Sequence, residues 1–230
     1  MIITTSFVPY GGLTTVAMNY FRNIDSNTFK VDFASTNDCP KVLEEELFLS
    51  DSHYYKLPNR IKSPFSYMKE LYRMCRDYDV IHIHGNSATT VLELIPAKLA
   101  GVKKRIVHIH NAKCEHVLTH RLMFPLMKFL MTKAIACSDA VGKINFNGIT
   151  YKVLNNSIDL DKYCYSDIDR QQIRMKYGID KDCLLIGHVG KFVKQKNHMF
   201  LLDVFKEIVK KNMPITLRRK TIFDLKDMSH

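Results

Sequence analysis

Residues 79–110 read DVIHIHGNSATTVLELIPAKLAGVKKRIVHIH. Two short runs rich in Val and Ile, at 80–84 and 105–110, flank a segment of helical length at 87–100. Short apolar runs of this kind predict buried strands, and a helix that joins two of them predicts a parallel β-α-β unit. The stretch therefore predicts an α/β fold.

The same alternation of strand and helix continues in both directions from this stretch. Further strands are predicted at 2–7, 30–35, 53–56, 134–138 and 151–154. Further helices are predicted at about 14–22, 63–76, 116–132 and 139–145. About six or seven short strands with crossover helices, over about 155 residues, are typical of one complete Rossmann-like domain.

A second domain is predicted to begin after a polar segment. Residues 166–182 contain one short helix, which we expect Asp167 or Asp169 to cap and Gly178 to end. An apolar strand returns at 184–189, and a basic loop and one helix follow it. One strand and one helix cannot bury a core, so the pattern predicts an incomplete second Rossmann-like domain. The predicted organisation is a first domain at 1–165, a linker with a short helix at 166–182, the start of the second domain at 183–213 and an atypical tail at 214–230. The tail lacks the strong apolar strand and the Gly-rich turn that should come next, so we expect it to be unrelated to the fold.

Composition and charge limit the classes of function. Hydrophobic residues make up 46% of the chain and charged residues 25%, which excludes a disordered, collagen-like or coiled-coil protein. The net charge of +11 favours anionic partners such as phosphates, nucleic acid or acidic lipid. Much of this charge lies at 98–133, around an apolar helical segment that either packs in the core or enters a lipid interface.

The chain shows neither an apolar run of about 18 residues nor the features of a secretory signal. Its six cysteines have no paired spacing for a zinc site, so we expect free thiols in a reducing compartment. We therefore expect a cytoplasmic protein, with peripheral contact to the inner face of a membrane through 98–133.

A pair of glycines is the first candidate for a binding site. Gly11 and Gly12 follow the first predicted strand and open a helix. Backbone N–H groups can approach a phosphate there without obstruction from a Cβ atom. The alternative is an ordinary tight turn.

Four histidines are the second candidate. His82 with His84, and His108 with His110, share a strand face by the two-residue period of a strand. Four imidazoles suggest a metal site, but such pairs also occur as hydrogen-bonded imidazoles at the rim of a sheet, and we expect no metal. His84 and His110 end their strands at the edge where ligands of open α/β sheets bind, so these two are the functional candidates.

The stretch GHVGKFVKQKNH at 187–198 is the third candidate. Gly190 lets the backbone come close to a ligand, and Lys191 and Lys196 carry charges that neutralise a diphosphate. The helix that follows adds N–H donors. The alternative is a solvated basic loop.

Six segments, taken in order, resemble one protein family. They are GGLTTVAMNYFRNID (11–25), DVIHIHG (79–85), IVHIHNA (106–112), AIACSDAVG (134–142), VLNNSIDLDKY (153–163) and IGHVGKFVKQKNH (186–198). Their order and spacing are similar to those of the bacterial retaining glycosyltransferases of family 4, which have the GT-B fold of two Rossmann-like domains. The resemblance covers about residues 1–213 and is strongest to transferases that build exopolysaccharide or capsule from nucleotide sugars.

The resemblance implies a role for each matched position. The first domain is implied to bind the acceptor and the second the nucleotide sugar, with His110 as the catalytic residue that faces the reacting sugar. The implied diphosphate-binding residues are Gly11, Gly12, Gly190, Lys191 and Lys196, and the cleft-lining candidates are His84, Asn111, Ser138 and Asn156.

The implied reaction moves a sugar, with retention, from a nucleotide-diphosphate sugar to a lipid-linked or saccharide acceptor. Because lysines and a helix terminus would stabilise the leaving diphosphate, no metal or other cofactor is expected. The sequence departs from the family in having Lys191 where Arg is usual and Ser157 where Gly is usual, and it lacks the late E-x7-E motif that holds the donor. These departures lead us to expect a truncated transferase, inactive alone unless another polypeptide supplies the missing half.

Two alternatives stay open from the residues alone. A non-catalytic basic module would bind acidic lipid or nucleic acid through 98–133. Aromatic residues suited to base stacking are not clustered there, so nucleic acid is not expected as a partner. A four-histidine metalloenzyme would contain stoichiometric zinc or iron.

Overall fold

The computed structural model describes residues 1–111, 117–190, 192–210 and 215–220. The chain divides into two compact units, Met1–Asp159 and Leu160–His230. Among the described residues, the structure contains no helix with the length and apolar character needed to cross a membrane.

A seven-stranded parallel sheet forms the centre of the first unit. Its strands are β1 (Ile2–Thr4), β2 (Phe33–Ser35), β3 (Tyr54–Lys56), β4 (Val80–Gly85), β5 (Lys104–Ile109), β6 (Lys133–Ala136) and β7 (Lys152–Val153). They lie in the order β3-β2-β1-β4-β5-β6-β7, with every neighbouring pair parallel. All seven predicted strands are present, with bounds that differ by one to three residues.

In the described part of this unit, six helices and one short 3₁₀ helix pack on the sheet. They are α1 (Gly12–Arg22), α2 (Lys41–Leu49), α3 (Pro64–Cys75), the 3₁₀ helix Ala88–Thr90, α4 (Val91–Leu99), α5 (Val117–Leu130) and α6 (Asp139–Asn145). Two hydrophobic clusters result, one with Ile2 and residues of α1 and α2, the other with Ile3 and residues of α3, α4 and α5. Because successive side chains of a strand point to opposite faces, Ile2 and Ile3 mark a core on each side of the sheet.

The helix α2 was not predicted from the sequence. Leu47 is its only buried residue, while Val42, Phe48 and Leu49 are exposed. Its apolar residues therefore do not follow the one-sided pattern by which an amphipathic helix is recognised.

The order of the strands defines a switch point. The chain runs from β1 outward to β3 and then returns to the other side of β1 to form β4. In doubly wound sheets, ligands bind in the crevice at the carboxyl ends of the two strands that flank such a point. The topology therefore predicts a ligand-binding site at the residues that follow β1 and β4.

The second unit begins with a 3₁₀ helix, Asp161–Tyr163, and continues with α7 (Asp167–Lys176), β8 (Leu184–Val189), the 3₁₀ helix Lys194–Lys196, α8 (His198–Val209) and β9 (Ile215–Lys220). The cap of α7 differs from the prediction. The hydroxyl of Ser166 accepts the N–H of Asp169 at 3.1 Å, because the capping residue is the one that precedes the first helical residue. Gly178 follows the helix with a φ of +60°.

The strand β9 corrects the prediction that the tail is unrelated to the fold. It pairs in parallel with β8, from Leu184 opposite Ile215 to Val189 opposite Lys220. The sequence pattern did not indicate this strand because its second half is basic. Parallel pairing uses the hydrogen-bonding groups of the backbone, so it can form with polar side chains. Residues 221–230 lie outside the described part of the chain.

Candidate functional site

The candidate site lies at the carboxyl edge of the first sheet, around the switch point between β1 and β4. Backbone hydrogen bonds fix this edge. The N–H of Thr5 donates to the carbonyl oxygen of His84 at 3.1 Å, and the N–H of His110 donates to that of Gly85 at 3.2 Å. The segments that leave β1, β4 and β5 are therefore held side by side.

The two glycines before and within α1 have different surroundings. A Cβ atom on Gly11 would lie 2.8 Å from Cγ2 and 3.1 Å from the carbonyl oxygen of Val8, so packing excludes a side chain. A Cβ atom on Gly12 would meet nothing within 4 Å. The first turn of α1 carries no acidic residue. The helix start at Gly12 thus faces open space, as access by a phosphate requires.

The four histidines form one cluster on a single face of β4 and β5. Ring centroids are 4.3 Å apart for His82 and His84, 4.1 Å apart for His108 and His110, and 5.5 Å apart for His82 and His108. The Nδ1 atom of the fully buried His84 lies 3.0 Å from Nε2 of His110. Tyr20 of α1 stacks on the cluster, 5.9 Å from His108. The prediction that each pair shares a strand face is confirmed.

Burial keeps the four imidazoles neutral. It lowers the pKa of His82 and of His110 to about 4 and that of His108 to about 2. Burial also holds the pKa of His84 well below its ordinary value, and repulsion from the three other histidines adds to this effect. At neutral pH each ring therefore has one N–H group and one lone pair.

Three of these imidazole rings are grouped closely enough to act as metal ligands. Single ring nitrogens of His82, His84 and His108 all lie within 4.8 Å of one another. Neutral imidazoles are ligands that zinc and similar transition metals prefer. Our expectation that the protein needs no metal therefore stays a prediction, with a direct test below.

The predicted residues Asn111 and Asn156 lie near His110. The carbonyl oxygen of Asn111 accepts a hydrogen bond from Nδ2 of Asn145 at 3.0 Å. Hydrogen bonding by the Asn156 side chain raises the pKa of His110, against the larger effect of burial. The structure thus brings Asn156, His110 and His84 together at this edge.

Ser138 has a local structural role at the same edge. Its hydroxyl accepts the N–H of Val141 at 3.3 Å and so caps α6. The neighbouring Cys137 thiol donates to the carbonyl oxygen of His110 at 3.3 Å. The start of α6 is therefore anchored beside His110, which places Ser138 near the site.

Two residues of α1 that the sequence analysis did not single out hold the opposite side of the site. Nδ2 of Asn19 donates to the carbonyl oxygen of Ser157 at 2.7 Å, and the Tyr20 hydroxyl donates to that of Asn155 at 3.4 Å. Their partners are backbone atoms more than 130 residues away along the chain. No periodic pattern in the sequence marks such contacts.

In the second unit, Gly190 and Lys196 lie side by side. A Cβ atom on Gly190 would lie 3.2 Å from Nε2 of His188 and 3.5 Å from Cγ of Lys196. Lys196 is exposed, and Asn197 follows it in the left-handed conformation, with a φ of +44°, as the cap of α8. Lys191, predicted as the other diphosphate-binding cation, lies outside the described residues.

The sequence matches the model of Glycosyltransferase Family 4 over residues 10–162, about two thirds of the chain. The chain belongs to glycosyltransferase family 4. The matched region contains the first sheet almost entirely and the whole of the histidine cluster.

Two curated relatives share about a quarter of their aligned residues with this family-4 chain. EpsF of Bacillus subtilis (strain 168), named as a glycosyltransferase, is 26% identical over 209 residues, covering 84% of this chain and 54% of EpsF. The UDP-Gal:alpha-D-GlcNAc-diphosphoundecaprenol alpha-1,3-galactosyltransferase of Escherichia coli is 25% identical over 159 residues, covering 62% of this chain and 40% of that enzyme. The chain spans about half the length of the curated relatives it matches.

A solved structure supports the fold. HepE of Anabaena, crystallised in complex with UDP and glucose, superposes with a TM-score of 0.72 at 18% identity, covering 98% of this chain and 62% of HepE. The family-4 chain therefore has the α/β fold of the GT-B type, as the sequence predicted. Its first Rossmann-like sheet has seven strands, and its second unit has two among the described residues.

Proposed function

We propose that this family-4 chain takes part in moving a sugar from a nucleoside-diphosphate sugar to a lipid-linked or saccharide acceptor, in the synthesis of exopolysaccharide or capsule. The observation that carries the proposal is that the open helix start at Gly12 and the His84–His110 pair lie at one edge of the sheet, at its switch point. The ligands of HepE and the lipid-diphosphate acceptor of the Escherichia coli relative support it.

The proposed reaction proceeds with retention. The bond from the anomeric carbon to the diphosphate breaks, the acceptor hydroxyl attacks on the same face of the sugar, and its proton passes to the leaving diphosphate. Lys191 and Lys196 stabilise the charge that develops on the diphosphate. His110 contacts the reacting sugar. With two cations in this role, the transfer needs no metal.

A transfer assay tests this proposal. Labelled UDP-hexoses are offered with an acceptor in which a sugar is linked to a polyprenyl diphosphate, and NMR determines the configuration of the new glycosidic bond. We expect UDP binding by the chain alone. We expect turnover when a polypeptide with the E-x7-E motif is added, and a retained anomeric configuration in the product.

The possible outcomes separate the parts of the proposal. Robust turnover by the chain alone would contradict the expectation of inactivity but support the transferase assignment. An inverted product would refute retention. Absence of both UDP binding and turnover would refute the proposal and favour the non-catalytic basic module. Elemental analysis of the purified chain and activity in a chelator test the expected independence from metals, which one equivalent of bound zinc or iron would contradict.

We also propose that α5 contacts an anionic membrane, where a lipid-linked acceptor would lie. Leu118, Leu122 and Phe129 follow one another at helical spacing, and 81%, 79% and 75% of their respective surfaces are exposed. Arg121 and Lys128 lie on the same helix, and no acidic residue occurs at 117–133. Apolar side chains flanked by cations are typical of helices that lie in a lipid interface. The cytoplasmic location stays a prediction.

Flotation with lipid vesicles tests the membrane contact. We expect the chain to bind vesicles that contain anionic lipid, more weakly at high salt. Leu122→Ser should weaken binding by about tenfold, because burial of one leucine contributes about 1.5–3 kcal/mol. Leu49→Ser, at an exposed leucine of α2, is the matched control. Equal effects of the two substitutions, or no binding at all, would overturn the proposal.

A further inference from the structure

The backbone at the end of β5 is held by the segment that contains β6 and α6. Three successive carbonyl oxygens accept hydrogen bonds from this segment. That of Ile109 accepts the backbone N–H of Cys137 at 3.1 Å, and that of His110 accepts the thiol of Cys137 at 3.3 Å. That of Asn111 accepts the side-chain amide of Asn145 at 3.0 Å. Each residue from the end of β5 to Asn111 is therefore fixed by the same neighbouring segment.

The amide of Asn145 has only one possible orientation in this contact. The residue is almost fully buried, with 1% of its surface exposed, and its Nδ2 atom also lies 3.0 Å from the carbonyl oxygen of Val141. Both neighbouring groups are carbonyl oxygens, which can only accept hydrogen bonds. The nitrogen must therefore face them, and its two N–H groups match the two acceptors. The donor role of Asn145 follows from its partners alone.

Helix α6, which carries Asn145, is a rigid support. Ser138 caps its first turn. A Cβ atom on Gly142 would overlap the ring of Tyr151, so the helix packs directly against that ring. The Tyr151 hydroxyl also donates to the carboxylate of Asp139 at 2.8 Å. The fold by itself therefore fixes the position of Asn145.

The side chains that the held backbone carries lie at the candidate site. His110 contacts the ring of His84, and Asn111 is exposed at the carboxyl edge of the sheet. A hydrogen bond to a carbonyl oxygen fixes the plane of its peptide unit, which limits the directions in which the adjoining side chains leave the backbone. Asn145 is buried, so its influence on a ligand must pass through the backbone of Asn111.

We propose that Asn145 and Cys137 are positioning residues, which fix the backbone at 109–111 and so place the side chains of His110 and Asn111 for the substrate. Asn145 acts on the carbonyl group of Asn111, and Cys137 on that of His110. Both hold the main chain, and neither takes part in the chemistry. The contact of His110 with a reacting sugar rests on the proposed function, whereas the fixing of the backbone does not.

Hydrogen exchange measured by NMR on the full chain tests the positioning without any substrate. The backbone amides of His110 and Cys137 are hydrogen bonded within this region and report on it. We expect both to exchange roughly fivefold faster in Asn145→Ala, the effect of losing one hydrogen bond. The matched control is Tyr54→Phe, which removes a hydrogen bond from a side chain to a backbone carbonyl at β3. Three strands separate β3 from β5, so the control should leave both amides unchanged.

The transfer assay adds a readout of catalysis. Asn145→Ala should lower kcat by up to about a hundredfold with little change in the KM for the donor, because displacement of a group at the reacting sugar affects the transition state more than binding. Cys137→Ala should also lower kcat. Cys137→Ser keeps a donor for the carbonyl oxygen of His110 and should recover much of that loss.

Three results would overturn the inference. The first is unchanged exchange of both amides in a folded Asn145→Ala chain, and the second is an equal increase in Tyr54→Phe. The third is an equal fall of kcat in these two variants, which would indicate a general loss of stability. If Asn145→Ala does not fold, the His110 amide decides instead: it should exchange faster in Cys137→Ala than in Cys137→Ser, and equal rates would overturn the inference. Failure of every donor in the transfer assay would refute the proposed function alone, since the exchange rates do not depend on it.

Discussion

The side-chain amide of Asn19 donates a hydrogen bond of 2.7 Å to the backbone carbonyl oxygen of Ser157. The contact joins α1, which begins at Gly12, to the last segment of the first unit. Asn156, whose side chain influences His110, lies directly before Ser157. Asn19 therefore helps to hold the segment that carries Asn156, although the two residues are far apart in the sequence.

Replacement of Asn19 by Ala should loosen the segment around Asn156. The loss of one hydrogen bond should lower the free energy of local opening by about 1 kcal/mol, which corresponds to roughly fivefold faster amide hydrogen exchange at 155–158. Hydrogen exchange followed by mass spectrometry measures this rate. Asn23→Ala, which removes a hydrogen bond confined to the end of α1, is the control. Equal exchange in both variants would contradict the role of Asn19.

Substitution by Ala should have opposite effects on stability at the two neighbouring glycines. Gly11→Ala places a methyl group against Val8 and should lower the free energy of unfolding by about 1–3 kcal/mol. Gly12→Ala meets open space within α1 and should raise it by up to about 1 kcal/mol, because Ala restricts the unfolded chain. Urea unfolding measures both changes.

The same Gly12→Ala variant tests the phosphate site. Its methyl group would occupy the space through which a phosphate approaches the helix start, so the affinity for UDP should fall by roughly tenfold although the chain is more stable. Calorimetric titration with UDP measures this. An unaltered affinity would show that Gly12 does not approach the ligand.

Lys196 and Lys194 form a matched pair in the second unit. Both lie in the same short 3₁₀ helix, and the side chain of Lys196 lies against Gly190. A charge-assisted hydrogen bond contributes about 1.5–3 kcal/mol, so Lys196→Ala should weaken UDP binding by about tenfold or more, and Lys194→Ala should leave it nearly unchanged. UDP binding should become less dependent on salt in Lys196→Ala but not in Lys194→Ala. Equal losses would indicate a general effect of charge.

The histidine cluster should make the chain sensitive to mild acid. The folded pKa values of His82 and His110, at about 4, lie below the ordinary value of 6.5, so the unfolded chain binds protons first as the pH falls. The stabilisation is complete above about pH 6.5 and is lost as the pH falls towards 4. Each buried histidine should contribute up to about 1.4 kcal/mol per pH unit in this range.

Urea unfolding at pH 7.5 and 5.5 measures this dependence. His82→Phe removes one titrating ring and should reduce the difference between the two pH values by the contribution of one histidine. A free energy of unfolding that is the same at both pH values would show that the four rings are not buried in neutral form.

Local patterns in the sequence were sufficient for much of the fold. The seven strands of the first sheet and the shared faces of the histidine pairs follow from the two-residue period of a strand, which depends only on neighbours in the chain. The same segments, in order, predicted the family and its GT-B fold. The pattern failed for α2, whose apolar residues are mostly exposed, and for β9, whose pairing with β8 depends on the backbone.

The chemistry of the site was decided by the tertiary structure. The histidines are neutral because the fold excludes water from them. The contact of His84 with His110 and the hydrogen bond from Asn19 to Ser157 exist because the fold brings together atoms from distant parts of the chain. The sequence by itself determined which residue types reach the carboxyl edge of the sheet, because strand period and chain order are local properties. Burial and the distances between side chains are not local, so only the folded chain fixed the protonation and the partners of those residues.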